Sequence, residues 1–296
     1  KNTIPINRRS FEVSDSHVEA ELLEQQIQIG ERTTFEGALC SGDEITCDIK
    51  CTLENSASPI AEIENYTFRV PNENQVFLFQ GIQLQKVGEG LRTSSTSDEL
   101  TLSFSNQGAN VILELKNCKF ARVTPATIEQ VLEKYGTPNE ALLRTQIKLS
   151  LQNNFDRENL NFMVNQFYSY LLDNVELPIS KRIVKKYYDP LCQNALAASN
   201  DEVLSQEQQD MLLQNAERLV KRLTMNAWIQ RQYSIGVSED DIDEQITIVA
   251  EERRVRPAQV RDEFVAADKL QVLANMAIDR KVFNQFKDKM VFTDIQ

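Results

Sequence analysis

Val13-Ser14-Asp15-Ser16-His17-Val18 and Val237-Ser238-Glu239-Asp240-Asp241-Ile242 lie near opposite ends of this 296-residue chain and share one pattern. In each stretch a valine precedes a serine, and an aliphatic residue stands four positions after that serine. A serine at the N-cap of a helix accepts a hydrogen bond from a free N–H group of the first turn, and the flanking apolar residues can pack together. Both stretches therefore predict a helix start with a hydrophobic staple.

Similar starts recur inside the chain. Thr124 is followed by Pro125 and by Ile128, and Ser180 is followed by Val184. Proline suits the first helical position, because its missing N–H would have no partner there. The four predicted starts frame a stretch whose pattern is not helical.

That stretch covers residues 31–122 and contains short runs separated by Gly, Asn, Ser and Pro. Apolar residues alternate with polar ones in three runs, which begin at Ile45, Leu100 and Val111. A period of two is typical of a half-buried strand, so these runs predict an antiparallel sheet. Residues 76–86 predict a short apolar helix or turn, and residues 94–98 predict a loop.

From Thr124 onward, apolar residues recur at helical spacing and glycine is rare. Tyr135-Gly136 predicts a helix end, and Thr137-Pro138-Asn139-Glu140 predicts the next start, with proline at the first helical position. Further helices are expected from Ser180 to about Ala198, after Ser205, from Ser238, and from near Pro257 to Met290. The sequence thus predicts an α+β multidomain chain with three parts: an N-terminal linker and helix (1–30), a small antiparallel β domain with a short helix (31–122), and an elongated all-helical domain with arm-like hairpins (123–296).

The composition is that of a soluble globular protein, with 41% hydrophobic and 26% charged residues. The net charge of −12 repels phosphate backbones, so nucleic acid is not an expected partner. No apolar run approaches the roughly 20 residues that span a bilayer, so no membrane is expected either. The chain begins at Lys1 without a methionine or an apolar signal core, and we interpret it as a processed or engineered fragment.

Motifs for catalysis or cofactor binding are missing from the sequence. Neither G-x-x-x-x-G-K nor G-x-S-x-G occurs, so neither ATP-driven work nor a Ser-His-Asp site is supported, and no cofactor is expected. The cysteines lack C-x-x-C pairing and only one histidine accompanies them, so no metal site is expected. Cys47 and Cys51 fit small buried hydrophobes. Reduced cysteines favour an intracellular, cytoplasmic setting.

The order of these parts resembles the trigger factor family of bacterial ATP-independent folding chaperones. In that family a segment like residues 11–22 leads from a ribosome-binding domain into an FKBP-type prolyl isomerase domain, and residues 42–48 resemble the first isomerase strand. Residues 237–243 and 257–290 resemble the end of the two-armed helical domain. The resemblance implies a chaperone that holds unfolded or nascent polypeptides. The glycine- and basic-rich ribosome-contacting loop has no counterpart here, so ribosome contact would require a domain upstream.

The resemblance also implies a prolyl isomerase, whose aromatic pocket eases rotation about a bond with a barrier of about 18–20 kcal/mol. The strand position that carries an aromatic residue in that family falls on Ile49, and the start of its helix aligns with Phe77-Leu78. The expected aromatic loop is reduced to residues 105–108. These departures predict a degenerate pocket with weak or absent activity. An active isomerase with an unusual pocket and a scaffold for one folded partner remain alternatives.

Apolar residues on the predicted helical arms are the candidate contacts for clients, because weak nondirectional contacts suit a varied set of unfolded chains. These candidates are Phe162, Phe167, Tyr170, Trp228, Met276 and Phe283. The aromatic stretch 162–170 fits the core of a helical bundle as well as an open client surface, and the sequence leaves both interpretations open.

Overall fold

The computed structural model describes residues 3–56, 58–199, 203–253 and 255–295. The chain forms two compact units, which we call the sheet unit (Val13–Leu151) and the helical unit (Lys1–Glu12 with Gln152–Gln296). The division into domains 1–30, 31–122 and 123–296 stays a prediction.

Helices and strands both contribute, which confirms the predicted α+β class. The helices are α1 (Asp15–Ile29), α2 (Val87–Arg92), α3 (Ile128–Tyr135), α4 (Glu140–Asn174), α5 (Lys181–Ser199), α6 (Gln206–Tyr233), α7 (Glu239–Arg253), α8 (Pro257–Ala266) and α9 (Leu270–Gln285), followed by a 3-10 turn (Lys287–Lys289). The strands are β1 (Ile4–Arg9), β2 (Glu31–Thr34), β3 (Glu44–Leu53), β4 (Pro59–Arg69), β5 (Phe77–Phe79), β6 (Ile82–Leu84), β7 (Glu99–Asn106), β8 (Ala109–Thr124) and β9 (Met290–Ile295).

The sheet unit is built around β8, which pairs with β7 along its first half, with β3 on its other edge, and with β2 near its end. β4 completes the order β2-β8-β3-β4, and every pairing in this sheet is antiparallel. The three alternating runs lie in β3, β7 and β8, so the predicted antiparallel sheet is confirmed. Side chains of one sheet face join those of α2 in a single apolar core, as the period of two requires.

Asp48 forms hydrogen bonds to both strands beside β3, at two points where the strand pairing shifts register. The pairing of β3 with β4 shifts beside Asn65, and its pairing with β8 shifts beside Asn117; both asparagines have positive φ, 51° and 53°. The Asp48 carboxylate accepts from the Asn65 backbone N–H at 2.9 Å and from the Asn117 side-chain amide at 2.6 Å. These bonds hold the pKa of Asp48 below its usual range, the Asn65 bond contributing most. The carboxylate therefore fixes where β3 bends.

The prediction of a helix or turn over residues 76–86 is wrong. β5 and β6 form a hairpin there, whose two-residue turn is Gln80-Gly81 with φ of 46° and 81°. Two consecutive positive φ angles are typical of the hairpin turn that matches strand twist. The short helix α2 follows this hairpin, beginning at Val87.

Several predicted helix starts are confirmed. Ser14 precedes α1, and its backbone N–H donates to His17 Nδ1 at 3.0 Å; Val13 and Val18 lie in the same buried cluster, as a staple requires. Ser205 accepts from the Gln208 backbone N–H at 3.2 Å at the start of α6. The helix expected after Ser180 is present as α5.

Two predicted N-caps are wrong. Thr124 belongs to β8, where it pairs with Glu31, and α3 is instead capped by Thr127, whose hydroxyl accepts from the Gln130 N–H at 3.3 Å. Thr137 is not the cap of α4. That role falls to Asn139, whose side-chain oxygen accepts from the Leu142 N–H. In both cases a second capping residue stood two or three positions further on.

The start at Ser238 is confirmed, but its staple is not. Ser238 Oγ accepts from the Asp241 N–H at 3.3 Å. Val237 packs against the core of the helical unit around Phe167, whereas Ile242 packs on a separate cluster of α7, α8 and α9. The single helix expected from Pro257 to Met290 is also wrong, because Asp268 has a φ of 54° between α8 and α9, and the chain becomes extended at Met290.

The helical unit contains a parallel strand pair that the sequence did not predict. β1 pairs in parallel with β9, so residues 4–9 and 290–295 lie side by side. The other edge of β1 is held by side chains of α4: Asn159 bonds both backbone groups of Arg9, and Gln166 bonds both backbone groups of Asn7, at 2.8–2.9 Å. These two amides satisfy the strand edge that faces the helix.

Candidate functional site

An open, wholly apolar groove lies in the helical unit where the end of α4 meets α6 and the residue after α9. We call it the apolar groove, and its volume is about 330 Å³. Its lining residues are Leu171, Val175, Leu177, Met225, Trp228, Ile229 and Phe286. An open concave surface with no polar lining residue is typical of a site for apolar ligands or peptide side chains.

The groove has a buried floor and an exposed rim. Met225 and Ile229 are buried and form the floor, whereas Trp228 on the rim is 60% exposed and Val175 is 38% exposed. Positions three and four apart on a helix lie on one face, so α6 presents both floor residues beside the tryptophan. Large exposed apolar side chains beside an apolar floor are an informative departure from ordinary surface composition.

Contacts around the groove fix its walls. Lys221 Nζ on α6 donates to the carbonyl oxygen of Leu172, near the end of α4. The ring of Phe286 packs on Phe167, with centroids 5.9 Å apart, and edge-on against Tyr233 at 5.5 Å. Aromatic pairs at such distances add stability beyond the area they bury. The walls of the groove are therefore held by residues that do not line it.

A buried polar network beside the groove ties α4, α6 and α9 together. The Tyr168 hydroxyl donates to Asn226 Oδ1 at 2.7 Å, and Asn226 Nδ2 donates to Asp279 Oδ1 at 2.8 Å. The Arg222 guanidinium binds Asp279 through two nitrogens and lies 3.8 Å from the centroid of the Tyr168 ring. Burial raises the pKa of Tyr168, so its hydroxyl stays protonated and donates.

The predicted client contacts do not form one surface. Phe167 and Phe283 are fully buried and pack edge-on against each other at 5.7 Å, so the interpretation of these two as surface contacts is wrong. They are core residues because α4 and α9 face each other in the apolar cluster of the helical unit. Phe162 is half-buried beneath the Arg9 guanidinium, 4.3 Å from its ring centroid. Tyr170 is half-buried against the same cluster as Phe167.

Only Trp228 of the predicted contacts lines the apolar groove. Met276 is 37% exposed on α9 and is not among the groove residues. The other lining residues were not predicted from the sequence. Their signal was present in part, because Leu171 and Val175 are four residues apart and Met225 and Ile229 are four apart, but helical spacing alone does not distinguish a floor from a closed core.

The predicted proline-pocket positions lie in the sheet unit and do not share one environment. Ile49 on β3 is fully buried, Phe77 is buried, and Leu78 is 59% exposed. Phe77 and Leu78 belong to β5, so their alignment with a helix start is wrong; the first turn of α2 carries Gly88-Glu89 instead. The reduced loop is a tight turn between β7 and β8, with positive φ at Gln107.

Four aromatic rings lie close together in the core that also contains Ile49. They belong to Tyr66, Phe68, Phe77 and Phe79, with neighbouring centroids 4.8–6.3 Å apart. Phe77, Phe79 and Phe68 are buried and Tyr66 packs against the same core. The rings thus pack on one another and on the sheet.

Among the residues that the structure describes, no three His, Cys, Asp or Glu side chains are grouped so that they could hold a metal ion. A search of the same residues finds no helix with the length and apolar character of a membrane span.

Comparison with known proteins identifies the family. The sequence profile of the bacterial trigger factor protein (TF) C-terminus matches residues 141–288, half of this chain, and includes every groove residue. The chain belongs to the trigger factor family. Trigger factor from Mycobacterium avium is 22% identical over 266 residues, covering 84% of this chain and 56% of that protein. Trigger factor from Chloroherpeton thalassium is 24% identical over 280 residues, covering 89% of this chain and 62% of that protein.

A solved structure from work on promiscuous substrate recognition in folding and assembly by the trigger factor chaperone is also similar. It aligns with 95% of this chain and 70% of its own, at 15% identity and a TM-score of 0.37. The chain spans little more than half the length of the curated trigger factors described above.

Proposed function

We propose that this member of the trigger factor family is an ATP-independent chaperone whose apolar groove holds apolar side chains of unfolded or nascent polypeptides. One observation carries the proposal: the groove is open, wholly apolar and bordered by Trp228, which is 60% exposed. Solvent-exposed apolar surface of this kind favours binding of another apolar surface, because both lose contact with water.

The size of the groove suits a partial and reversible grip. Its volume of about 330 Å³ is near the lower end of the roughly 300–1,000 Å³ that is typical of small-molecule pockets. It therefore has room for one or two large apolar side chains and not for a folded partner. Burying one such side chain contributes about 1.5–3 kcal/mol, so a client bound here leaves again without nucleotide hydrolysis.

Suppression of aggregation tests the proposal. A chemically denatured model protein is diluted into buffer without ATP, and light scattering is followed with and without the chain in several-fold molar excess. We expect scattering to fall with the wild-type chain and to fall less with Trp228→Ser. The matched control is Met211→Ser, because Met211 is 55% exposed on the same helix but does not line the groove. Wild-type protein without any effect, or equal loss in both variants, would contradict the proposal.

A prolyl isomerase is the second candidate, and the aromatic rings of the sheet unit are the observation behind it. Because those rings fill the core themselves, we propose that isomerisation is weak or absent. A protease-coupled assay with a proline-containing peptide tests this, and a rate comparable to that of ordinary isomerases would overturn it.

A scaffold for one folded partner is the third candidate. Suppression of aggregation for several unrelated clients counts against that scaffold.

A further inference from the structure

Two cysteines of the sheet unit face each other across neighbouring strands. β3 and β8 pair through Thr46 with Lys119 and through Asp48 with Lys116, so Asn117 and Cys118 together oppose the single residue Cys47. This bulge points Asn117 outward, where it is exposed, and Cys118 inward, where it is buried beside the buried Cys47. The strand register therefore makes the two thiols neighbours in the core of the sheet unit.

The register of the two strands allows a covalent bond between these sulfurs. Opposed residues on antiparallel strands have Cβ atoms about 4.5–5.5 Å apart, and a disulfide needs about 3.5–4.5 Å. A closure of about 1 Å is therefore enough. Asp48, which braces the bulge through Asn65 and Asn117, holds the strands where this closure occurs.

Cys118 also borders a cleft that is open to solvent. Cys118 lines an open cleft of about 720 Å³, together with residues 34–36, 96–98 and 119–120. The thiolate is the nucleophile in thiol chemistry, and a peroxide that enters this cleft reaches the pair from the side of Cys118.

We propose that Cys47 and Cys118 are a redox-active dithiol that a hydroperoxide converts into an intramolecular disulfide. The Cys118 thiolate attacks one peroxide oxygen and the O–O bond breaks, which forms a sulfenic acid; the leaving oxygen takes the proton given up by Cys118 and departs as an alcohol or, from hydrogen peroxide, as water. The Cys47 sulfur then attacks the Cys118 sulfur, the S–O bond breaks, and the hydroxide leaves as water with the Cys47 proton. The two thiols lose two electrons in total, and the peroxide gains them.

The remaining cysteines do not offer an equivalent pair. Cys51 on β3 is opposed by Leu113 on β8 and by Ala61 on β4. Cys40 is exposed outside the strands, and Cys192 lies on α5 in the helical unit. The disulfide would join residues 47 and 118 and so restrict the unfolded chain over most of the sheet, which raises the unfolding temperature of the oxidised protein.

Peptide mapping of the wild-type protein tests the proposal directly. The folded chain is treated with hydrogen peroxide, unfolded in the presence of iodoacetamide and digested. We expect a fragment that links Cys47 to Cys118, while Cys51 stays open to alkylation, and we expect dithiothreitol to release the link. If Cys47 and Cys118 are both still alkylated once the exposed Cys40 has been oxidised, or if either is linked to another cysteine, the proposal is wrong.

Matched variants supply a second measurement. Cys118→Ser removes one partner, and Cys51→Ser removes another buried thiol of the same core. Thermal unfolding is compared before and after oxidation within each variant, so any loss of stability from the substitution itself cancels. The unfolding temperature is expected to rise on oxidation for wild type and Cys51→Ser but not for Cys118→Ser. An equal rise in Cys118→Ser would overturn the proposal.

Discussion

The buried network of Tyr168, Asn226 and Asp279 gives the sharpest test of how the walls of the groove are held. Asn226→Leu keeps the approximate side-chain volume but removes Asn226 Oδ1, the acceptor that lies 2.7 Å from the buried Tyr168 hydroxyl. Removing one partner of a buried hydrogen bond costs about 1–3 kcal/mol. Asp279 loses one donor but keeps both bonds to Arg222. We therefore expect Asn226→Leu to lower the free energy of unfolding of the helical unit by about 1–3 kcal/mol.

The reciprocal change completes a double-mutant cycle. Tyr168→Phe leaves Asn226 Oδ1 without its donor. We expect it to lower the free energy of unfolding by a similar amount, about 1–3 kcal/mol. In Tyr168→Phe/Asn226→Leu both partners are gone, so neither is left unsatisfied. The double variant should cost about as much as one single variant, which corresponds to a coupling of about 1 kcal/mol or more.

Urea unfolding followed by tryptophan fluorescence measures this cycle, because Trp228 is the one tryptophan of the chain and lies on the same helix, α6, as Asn226. The control is Asn215→Leu on the same helix, where the exposed side chain predicts a change within about 0.5 kcal/mol. Additive costs in the cycle, or a cost for Asn226→Leu no larger than that of the control, would refute the reasoning.

Two further changes test other parts of the chain. Gly88→Ala should destabilise the sheet unit by about 1–3 kcal/mol in thermal unfolding, because a Cβ there would lie 2.7 Å from the carbonyl oxygen of Pro71. The control is Gly236→Ala, which should be nearly neutral because a Cβ at that position meets nothing within 4 Å. Bonds from Lys281 and from the Ser238 N–H lower the pKa of Asp241 to about 2. A carboxylate whose pKa is lower in the folded than in the unfolded state stabilises the protein at pH values above its unfolded-state pKa, and this stabilisation is lost as the pH falls through the folded-state pKa. We therefore expect α7 to loosen between about pH 4 and pH 2. Hydrogen exchange should show this transition in the wild type and not in Asp241→Asn. Unchanged pH dependence in Asp241→Asn would contradict the assignment.

Sequence patterns predicted the elements whose causes are local. The serines before α1, α5, α6 and α7 mark real helix starts, since a capping hydroxyl and first-turn N–H groups are close in sequence. The alternating runs of β3, β7 and β8 predicted the sheet, because the apolar residue at every second position of a run lies on the same buried face. Thr124 failed as a cap because pairing with β2, a distant contact, kept it extended.

The candidate site was harder to predict because burial depends on distant packing. Phe167 and Trp228 have the same apolar character in the sequence, yet α9 and β1 cover the first and leave the second exposed. The strand pair of β1 and β9 joins residues more than 280 positions apart, and no local signal predicts such a pairing. The hairpin of β5 and β6 was missed for another reason. Its Gln80-Gly81 turn is a weaker signal than the Asn-Gly or Asp-Gly turns that mark most hairpins.

The fluorescence of Trp228 provides the most direct test of the claim that the apolar groove holds unfolded polypeptide. Because it is the one tryptophan, its emission reports on the groove without a label, provided that the client lacks tryptophan. The chain is titrated with a permanently unfolded, carboxymethylated client without tryptophan, and with a peptide of similar length in which serine replaces the large apolar residues. We predict a saturable shift of the emission to shorter wavelength with the first ligand and none with the second, since binding removes water from the exposed ring. An unchanged emission spectrum at client concentrations that suppress aggregation would contradict the central claim and place client binding elsewhere on the chain.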